Sequence, residues 1–143
     1  MSGGKNWKLP ALARFADLTL LLLRLVTGAF LVHETWDNIT SAARMREFAT
    51  FLGQFGFPLP HLMAPLSVAV QFVCGALLVL GLAIRAAGLL IAANFAIAIY
   101  IVHWNEPPRG WWPALVLVFL GLHFAAAGSG RFGLDRWVGN GKG

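Results

Sequence analysis

Four ionisable residues lie within one long apolar stretch near the start of the chain. The stretch from Leu18 to Asn38 is long enough to span a bilayer, and its ionisable members are Arg24, His33, Glu34 and Asp37. A charge at membrane depth costs roughly 2.5 to 3.5 kcal/mol on insertion scales, so it usually faces a protein interior or a wet cavity. We therefore expect the other apolar segments to pack against this one.

Helical periodicity assigns these residues to different faces of the predicted helix. At about 100° per residue, one stripe contains Arg24, Thr27, Leu31, Glu34, Thr35 and Asn38. This stripe is predicted to face the interior of a helix bundle. His33 falls nearly opposite Arg24, with Asp37 one turn further along, so His33 and Asp37 are predicted to form a second contact near the membrane surface.

The outer end of this helix belongs to the densest ionisable cluster in the sequence. By depth, His33, Glu34 and Asp37 reach the level of His61, His103 and Glu106. A histidine has an ordinary pKa of about 6.5 and can relay a proton when a carboxylate is beside it, as oxidation of a quinol requires. Glu34 and His103 are the pair expected to do so. The alternatives are interfacial histidines bonded to loop backbone and water, a divalent metal site, or a haem between His33 and His103. We assign no metal ligand.

Further polar residues are predicted to lie deeper in the membrane. Arg24 lies about 10 Å from the inner end of the first span and His123 about 8 Å from that of the last, so the two are expected to meet. Arg24 would then hold an anionic headgroup or a quinone carbonyl; the alternative is an arginine bonded to backbone carbonyls. Because leucine suits hydrocarbon better, Arg24→Leu is expected to cost more function than stability. Gln71 and Asn94 are expected to bridge helices near mid-depth. The candidate ligand-binding residues are Arg24, His33, Glu34, Asp37, Gln71, His103 and His123.

The composition is that of an integral membrane protein. Of 143 residues, 58% are hydrophobic and 12% are charged, with a mean hydropathy of +0.70. Four predicted spans, about 18–38, 62–84, 86–104 and 112–127, account for most of the chain as one transmembrane domain over residues 1–143. Apolar residues at spacings of three and four predict a short amphipathic helix over about 41–55, at the outer surface. The predicted fold is an all-α four-helix bundle with this interfacial helix between its first two spans.

The net charge of +5 is unevenly distributed between the predicted span ends. The inner ends carry Lys5, Lys8, Arg14, Arg85, Arg131, Arg136 and Lys142, whereas the outer ends carry Arg44, Arg46 and Arg109. This bias predicts that both termini are cytoplasmic in a bacterial-type inner (plasma) membrane. The basic charge is thus attributed to topology and to contact with anionic membrane lipids rather than to nucleic-acid binding.

Three stretches together resemble the DoxX family of small four-helix membrane proteins. They are RLVTGAFLVHETWDNI at 24–39, FGFPLP at 55–60 followed by QFVCGALLVLGLAIRAAGLL at 71–90, and GSGRFGLDRW at 128–137. The family usually has a glycine after the histidine of the first helix and often a carboxylate in the second, where this chain has Glu34 and Gln71. A site shared by the family is therefore expected to be rearranged here.

The resemblance implies a link to membrane redox metabolism. Some relatives are described as subunits of thiosulfate:quinone oxidoreductases and others as membrane anchors in oxidative-stress complexes. The expected function is a membrane subunit that binds a quinone or similar lipid-like molecule and works with a protein partner or as a homo-oligomer. The alternative is a non-enzymatic scaffold or chaperone that recruits another protein. With one cysteine, Cys74, and no nucleotide fingerprint or iron–sulfur ligand set, the chain needs a partner for electrons, and no catalytic residue is assigned.

Overall fold

The computed structural model describes residues 9–139, and every regular element in that range is helical. The α-helices are α1 (Ala16–Thr40), α2 (Ala42–Gln54), α3 (Pro60–Leu80), α4 (Ile84–Ala98), α5 (Pro108–Ala127) and α6 (Asp135–Gly139). A 3₁₀ turn, Pro10–Phe15, leads into α1, and a π-helical turn, Ile99–His103, continues α4. α1, α3, α4 and α5, with these extensions, are long and apolar enough to cross a membrane. The predicted all-α, four-span architecture is confirmed, and the protein is a multi-pass membrane protein.

The spanning helices pack in the order α1, α3, α4, α5, and the most extensive contacts are in the pairs α1–α3 and α4–α5. Each of these pairs crosses where two glycines face each other, Gly28 and Gly75 in the first, Gly88 and Gly121 in the second. A Cβ on any of the four would run into the facing backbone carbonyl, so only glycine permits this close approach. α1 and α5 make little contact with each other, so the helices do not close into a ring.

The buried face of α1 agrees with most of the predicted stripe, but Glu34 of that stripe is exposed and Asn38 is only partly buried. Arg24, Thr27 and Thr35 are buried, whereas Leu18 and Leu22 on the far side are exposed. The largest fully buried apolar side chains of the main core include Leu31, Leu78, Ile84, Ile91 and Phe124. Burial of Arg24, Thr27 and Thr35 therefore places three polar side chains of α1 inside the protein, as expected of polar residues in a spanning helix.

The amphipathic helix α2 covers one end of the bundle. Ser41 is its N-cap, since Ser41 Oγ accepts a hydrogen bond from the backbone N–H of Arg44 at 3.4 Å. The buried side of α2 contributes Ala49 and Leu52 to an apolar cluster with Ala64 of α3 and Val102 of the π turn. α2 thus forms a roof over the end of the bundle at which α1 ends and α3 begins.

The turn between α3 and α4 lies earlier than the sequence predicted. The prediction placed it around Arg85, but α3 ends at Leu80, Gly81 takes a left-handed conformation (φ 76°), and Arg85 is already in α4. The carboxylate of Asp135 accepts hydrogen bonds from the backbone N–H groups of Ala83 and Ile84 at 2.7 and 3.0 Å. A side chain more than 50 residues downstream therefore stabilises the start of α4, which local patterning does not reveal.

The membrane orientation is a testable expectation. Four spans bring the start of α1 and the end of α5 to the same side, where Arg14, Arg85, Arg131 and Arg136 lie, while Lys5, Lys8 and Lys142 fall outside the described residues. A cysteine at exposed Ala43 of α2 should react with an impermeant thiol reagent in intact cells, because α2 is expected at the outer surface. The native Cys74 is buried and should not react. The matched variant Val138→Cys in α6 should react only after lysis. The reverse pattern would invert the predicted topology.

Candidate ligand-binding site

A cavity of about 480 Å³ lies beneath α2, between the spanning helices. Its volume is within the range of small-molecule sites. Apolar side chains from every long helix form most of the lining, among them Phe30, Leu52, Met63, Phe95 and Leu117. The polar side chains in the lining are Glu34, Ser67, Gln71, Asn94 and His103. A few polar groups in a largely apolar cavity are typical of sites for amphipathic small molecules.

The cavity is not sealed from the surroundings of the bundle. About half of the surface of Phe30, Leu66, Leu90 and Ile97, which all line it, remains accessible. In a bilayer, the medium around these side chains is hydrocarbon rather than water. A ligand with an apolar tail can therefore reach the cavity, or leave its tail outside, without crossing a polar surface.

A chain of hydrogen bonds joins α3 to α4 inside this cavity. Gln71 Nε2 donates to Ser67 Oγ at 3.1 Å, and Ser67 Oγ donates to Asn94 Oδ1 at 2.9 Å. All three side chains are partly buried. The expected bridge between Gln71 and Asn94 is thus present, with Ser67 as its central member. Sequence reasoning did not assign Ser67 to the site, although its position four residues before Gln71 places both on one face of α3.

This hydrogen-bonded chain leaves one donor group and one acceptor free. Within residues 9–139, Gln71 Oε1 and Asn94 Nδ2 have no hydrogen-bond partner, and no buried side-chain nitrogen or oxygen is unsatisfied, so both atoms are accessible. If both amides are reversed, the Asn94 amide donates to Ser67 and Ser67 donates to Gln71. The free N–H group then belongs to Gln71 and the free oxygen to Asn94. In either arrangement the three side chains offer one amide donor and one amide acceptor.

The π-helical turn determines which way His103 points. At 3.6 residues per turn, an unbroken α-helix would place His103 about 180° from Asn94. The π turn holds one extra residue, which rotates everything beyond it by about 100°. His103 consequently lines the same cavity as Asn94. Single π-helical turns of this kind are frequent at functional sites because they re-aim a side chain.

His103 is paired with Glu106 and not with Glu34, the partner that the sequence predicted. Its Nδ1 lies 2.8 Å from Glu106 Oε2, so the ring donates from Nδ1 and leaves Nε2 for a ligand. Gly110, at the start of α5, provides the space for the carboxylate, since a Cβ there would run into Glu106. The sequence placed Glu106 in the outer ionisable cluster but not among the candidate ligand-binding residues, although it follows His103 by three residues.

Comparison with known proteins identifies the family. The sequence model described as DoxX matches residues 19–104. The chain belongs to the DoxX family. A curated relative from Bacillus subtilis (strain 168), named "Putative oxidoreductase CatD", is 34% identical over 128 residues, which covers 88% of this chain and 91% of the relative. No solved structure matches. All five polar side chains of the cavity lie within the segment that matches the DoxX model.

The remaining outer residues of this DoxX protein are arranged differently from the prediction. The His33 side chain is 85% exposed, and its Nδ1 lies 3.6 Å from Glu34, so the expected contact between His33 and Asp37 is absent from the described region. Asp37 and His61 are exposed and do not line the cavity. Of the predicted outer cluster, the fold therefore brings Glu34 and His103 to the cavity, with Glu106 behind His103.

Arg24 and His123 do not meet. Arg24 is buried outside the cavity lining, and its Nε and Nη1 donate to the backbone oxygens of Leu78 and Ser129 at 3.1 and 2.5 Å. His123 is exposed on α5, a helix with which α1 has little contact. Because α1 packs on α3, the Arg24 side chain contacts the end of α3 and the segment that follows α5. These contacts match the alternative prediction, in which Arg24 is hydrogen-bonded to backbone carbonyls.

The metal-site alternatives require a cluster of ligand side chains, and the described part of the DoxX chain contains none. No group of three or more His, Cys, Asp and Glu side chains that could hold a metal ion occurs among residues 9–139. Of the two histidines considered for a haem, His33 is exposed beside Glu34, whereas His103 lines the cavity and bonds Glu106. The polar groups that the cavity itself offers are two amides, a hydroxyl, a carboxylate and an imidazole.

Proposed function

We propose that this DoxX-family protein is a membrane subunit associated with redox metabolism that binds a quinone or a similar lipid-like molecule in the cavity beneath α2. The observation that carries the proposal is the amide donor and acceptor that Gln71, Ser67 and Asn94 offer inside a largely apolar cavity. The name of the Bacillus subtilis relative supports the oxidoreductase class.

The two free amide groups suit both redox forms of a quinone. A quinone carbonyl only accepts hydrogen bonds and would take one from the free amide N–H. A quinol hydroxyl also donates and would find the free amide oxygen next to it. The apolar lining and its opening to hydrocarbon would receive the tail of a lipid-like molecule. The same side chains thus serve both forms without rearrangement.

A protein partner completes the proposal. The chain has one cysteine, Cys74, which is buried, and no nucleotide-binding fingerprint, so we assign electron transfer to or from the bound molecule to a partner oxidoreductase. A bacterial-type inner membrane with both termini cytoplasmic is the proposed location. In the competing proposal of a scaffold or chaperone, the same cavity would hold no small molecule and a partner protein would co-purify in stoichiometric amount.

The test is titration of the purified protein with decylubiquinone, followed by intrinsic tryptophan fluorescence. The wild-type protein should show saturable quenching. Asn94→Leu should weaken binding by about tenfold, because the loss of one hydrogen bond inside an apolar cavity costs about 1 kcal/mol or slightly more. The matched variant Asn105→Leu, in the exposed loop before α5, should bind as the wild type does.

The outcomes separate the two proposals. Wild-type protein with no saturable quenching, and with no quinone in its extracted lipids, would contradict quinone binding. A stoichiometric protein partner in that same preparation would favour the scaffold. Equal weakening by Asn94→Leu and Asn105→Leu would place the quinone outside the cavity.

A further inference from the structure

We propose that the cavity takes a ring with oxygens at opposite (para) positions, and that His103, positioned by Glu106, accepts the proton of the oxygen nearest α2. This inference deepens the proposed function and rests on it. In the step, the ligand O–H bond breaks and an N–H bond forms on His103 Nε2, which gives a phenolate and an imidazolium. No electron moves in this step.

The separation of Asn94, in α4, from His103, in the π turn, supports a ring held between two polar stations. One station is the amide group of Asn94 and the other is the ring of His103, and both line the cavity. Because the π turn holds one extra residue, the nine residues advance along the helix axis by about as much as eight α-helical ones, roughly 12 Å, and both side chains lean in the same direction along the helix. A six-membered ring with para oxygens, each in a hydrogen bond of about 2.8 Å, spans roughly 11 Å between its two partners. An ortho arrangement would place both oxygens at one station.

The pairing of His103 makes it the proton acceptor. With Nδ1 held by Glu106 at 2.8 Å, Nε2 of the neutral ring carries the lone pair, and the carboxylate stabilises the imidazolium that proton transfer creates. The π-helical turn directs this ring into the cavity, and Gly110 leaves room for the carboxylate behind it. Glu106 acts through His103 and is a positioning residue.

Few other charged groups line the cavity and could affect proton transfer from the ligand to His103. Within the described residues, the ionisable members of the lining are Glu34, from α1, and His103. The side chains that α2, α3 and α5 contribute to the lining are uncharged. Glu34 is 55% exposed, and its carboxylate lies 3.6 Å from His33 Nδ1 rather than beside the His103 ring. The proton therefore goes to His103.

The experiment uses 4-nitrophenol, whose phenolate absorbs visible light and whose two polar groups are para, with 2-nitrophenol as the ortho control. The pH is varied for the probe in detergent with enough purified protein to bind all of it. The same titration with empty micelles is the blank. The pKa of bound 4-nitrophenol should fall by about one unit, which means about tenfold more phenolate per phenol at a fixed pH below the pKa of the free probe. Bound 2-nitrophenol should show no such shift.

Variants assign the shift to residues. His103→Gln should abolish it while 4-nitrophenol still binds, and Glu106→Gln should at least halve it. Glu34→Gln should leave it unchanged. The matched control is Glu47→Gln, which removes the carboxylate from an exposed pair of the same spacing, Arg44 and Glu47 at 3.2 Å. Gly110→Ala, which displaces the Glu106 carboxylate without removing it, should act as Glu106→Gln does.

Each contrary result has a separate meaning. An undiminished shift in both His103→Gln and Glu106→Gln would overturn the role of His103, and a shift lost only in Glu34→Gln would transfer that role to Glu34. Equal shifts for the two nitrophenol isomers would overturn the para-spanning geometry. In these cases decylubiquinone still binds and the proposed function stands. Failure of the wild-type protein to bind either decylubiquinone or 4-nitrophenol would overturn both proposals.

Discussion

Replacing Arg24 by leucine should destabilise the folded protein by about 2 to 4 kcal/mol, because two carbonyl oxygens lose a charged hydrogen-bond donor. The guanidinium connects the backbone of Leu78, near the end of α3, to that of Ser129, beyond the end of α5. Leucine can donate to neither oxygen. We therefore expect the segment after Ser129 to detach, and with it the Asp135 carboxylate that caps α4.

Arg85 provides the matched control for this prediction. Its Nη1 also donates to two backbone oxygens, those of Ala125 and Ala126, but the side chain is exposed and water can replace it. Arg85→Leu should thus cost less than about 1 kcal/mol. Thermal unfolding in detergent and limited proteolysis after Ser129 would measure both variants. A stable Arg24→Leu protein that fails to bind decylubiquinone would restore the ligand role that the sequence suggested for Arg24.

An alanine at Gly88 should destabilise the packing of α4 on α5 by about 3 kcal/mol, the upper part of the range for overpacked cores. The added methyl group would meet the backbone of Gly121 and Ala125, and backbone atoms of a helix cannot move aside as a flexible side chain can. The two helices must then separate. Because α5 and α4 both line the cavity, quinone binding should weaken in parallel.

The same substitution at Gly53 is the control. Gly53 lies in α2, and an added Cβ there would be in ordinary contact with Pro60, at 3.6 Å. Gly53→Ala should be neutral or stabilise the protein by about 0.5 to 1 kcal/mol, the usual gain of alanine over glycine in a helix. Thermal unfolding of the two variants side by side tests the pair. If Gly88→Ala were as stable as Gly53→Ala, close glycine crossing would not hold α4 against α5.

Some features of the site followed from short-range patterns in the sequence. The polar stripe of α1 was predictable because a helix repeats every 3.6 residues. A polar residue in an apolar span usually faces the interior of the protein, since exposure to hydrocarbon is costly. For the same reason Gln71 and Asn94 were expected to bridge helices. Which side chain would complete that bridge was not predictable, since it depends on how α3 and α4 are rotated against each other.

Two of the predictions that did not hold concern distances between separate helices. Arg24 and His123 were estimated to lie at similar depths, but depth along the membrane says nothing of which helices are neighbours. Because glycines pair α1 with α3 and α4 with α5, Arg24 lies against the end of α3, while His123 is exposed on α5. Likewise, His103 found its carboxylate three residues away, in Glu106, rather than across the bundle in Glu34.

The sequence by itself determined that the chain is an all-α, four-span membrane protein of the DoxX family with an amphipathic helix after its first span. Length, hydropathy and helical period suffice for the fold, because each acts within one segment, whereas the family rests on the resemblance of three stretches of sequence. Only the tertiary structure decided which polar side chains share a cavity. The glycine crossings set the helix neighbours, and the π turn, a one-residue irregularity, rotates His103 toward Asn94. These are relations between segments, and local periodicity carries no information about them.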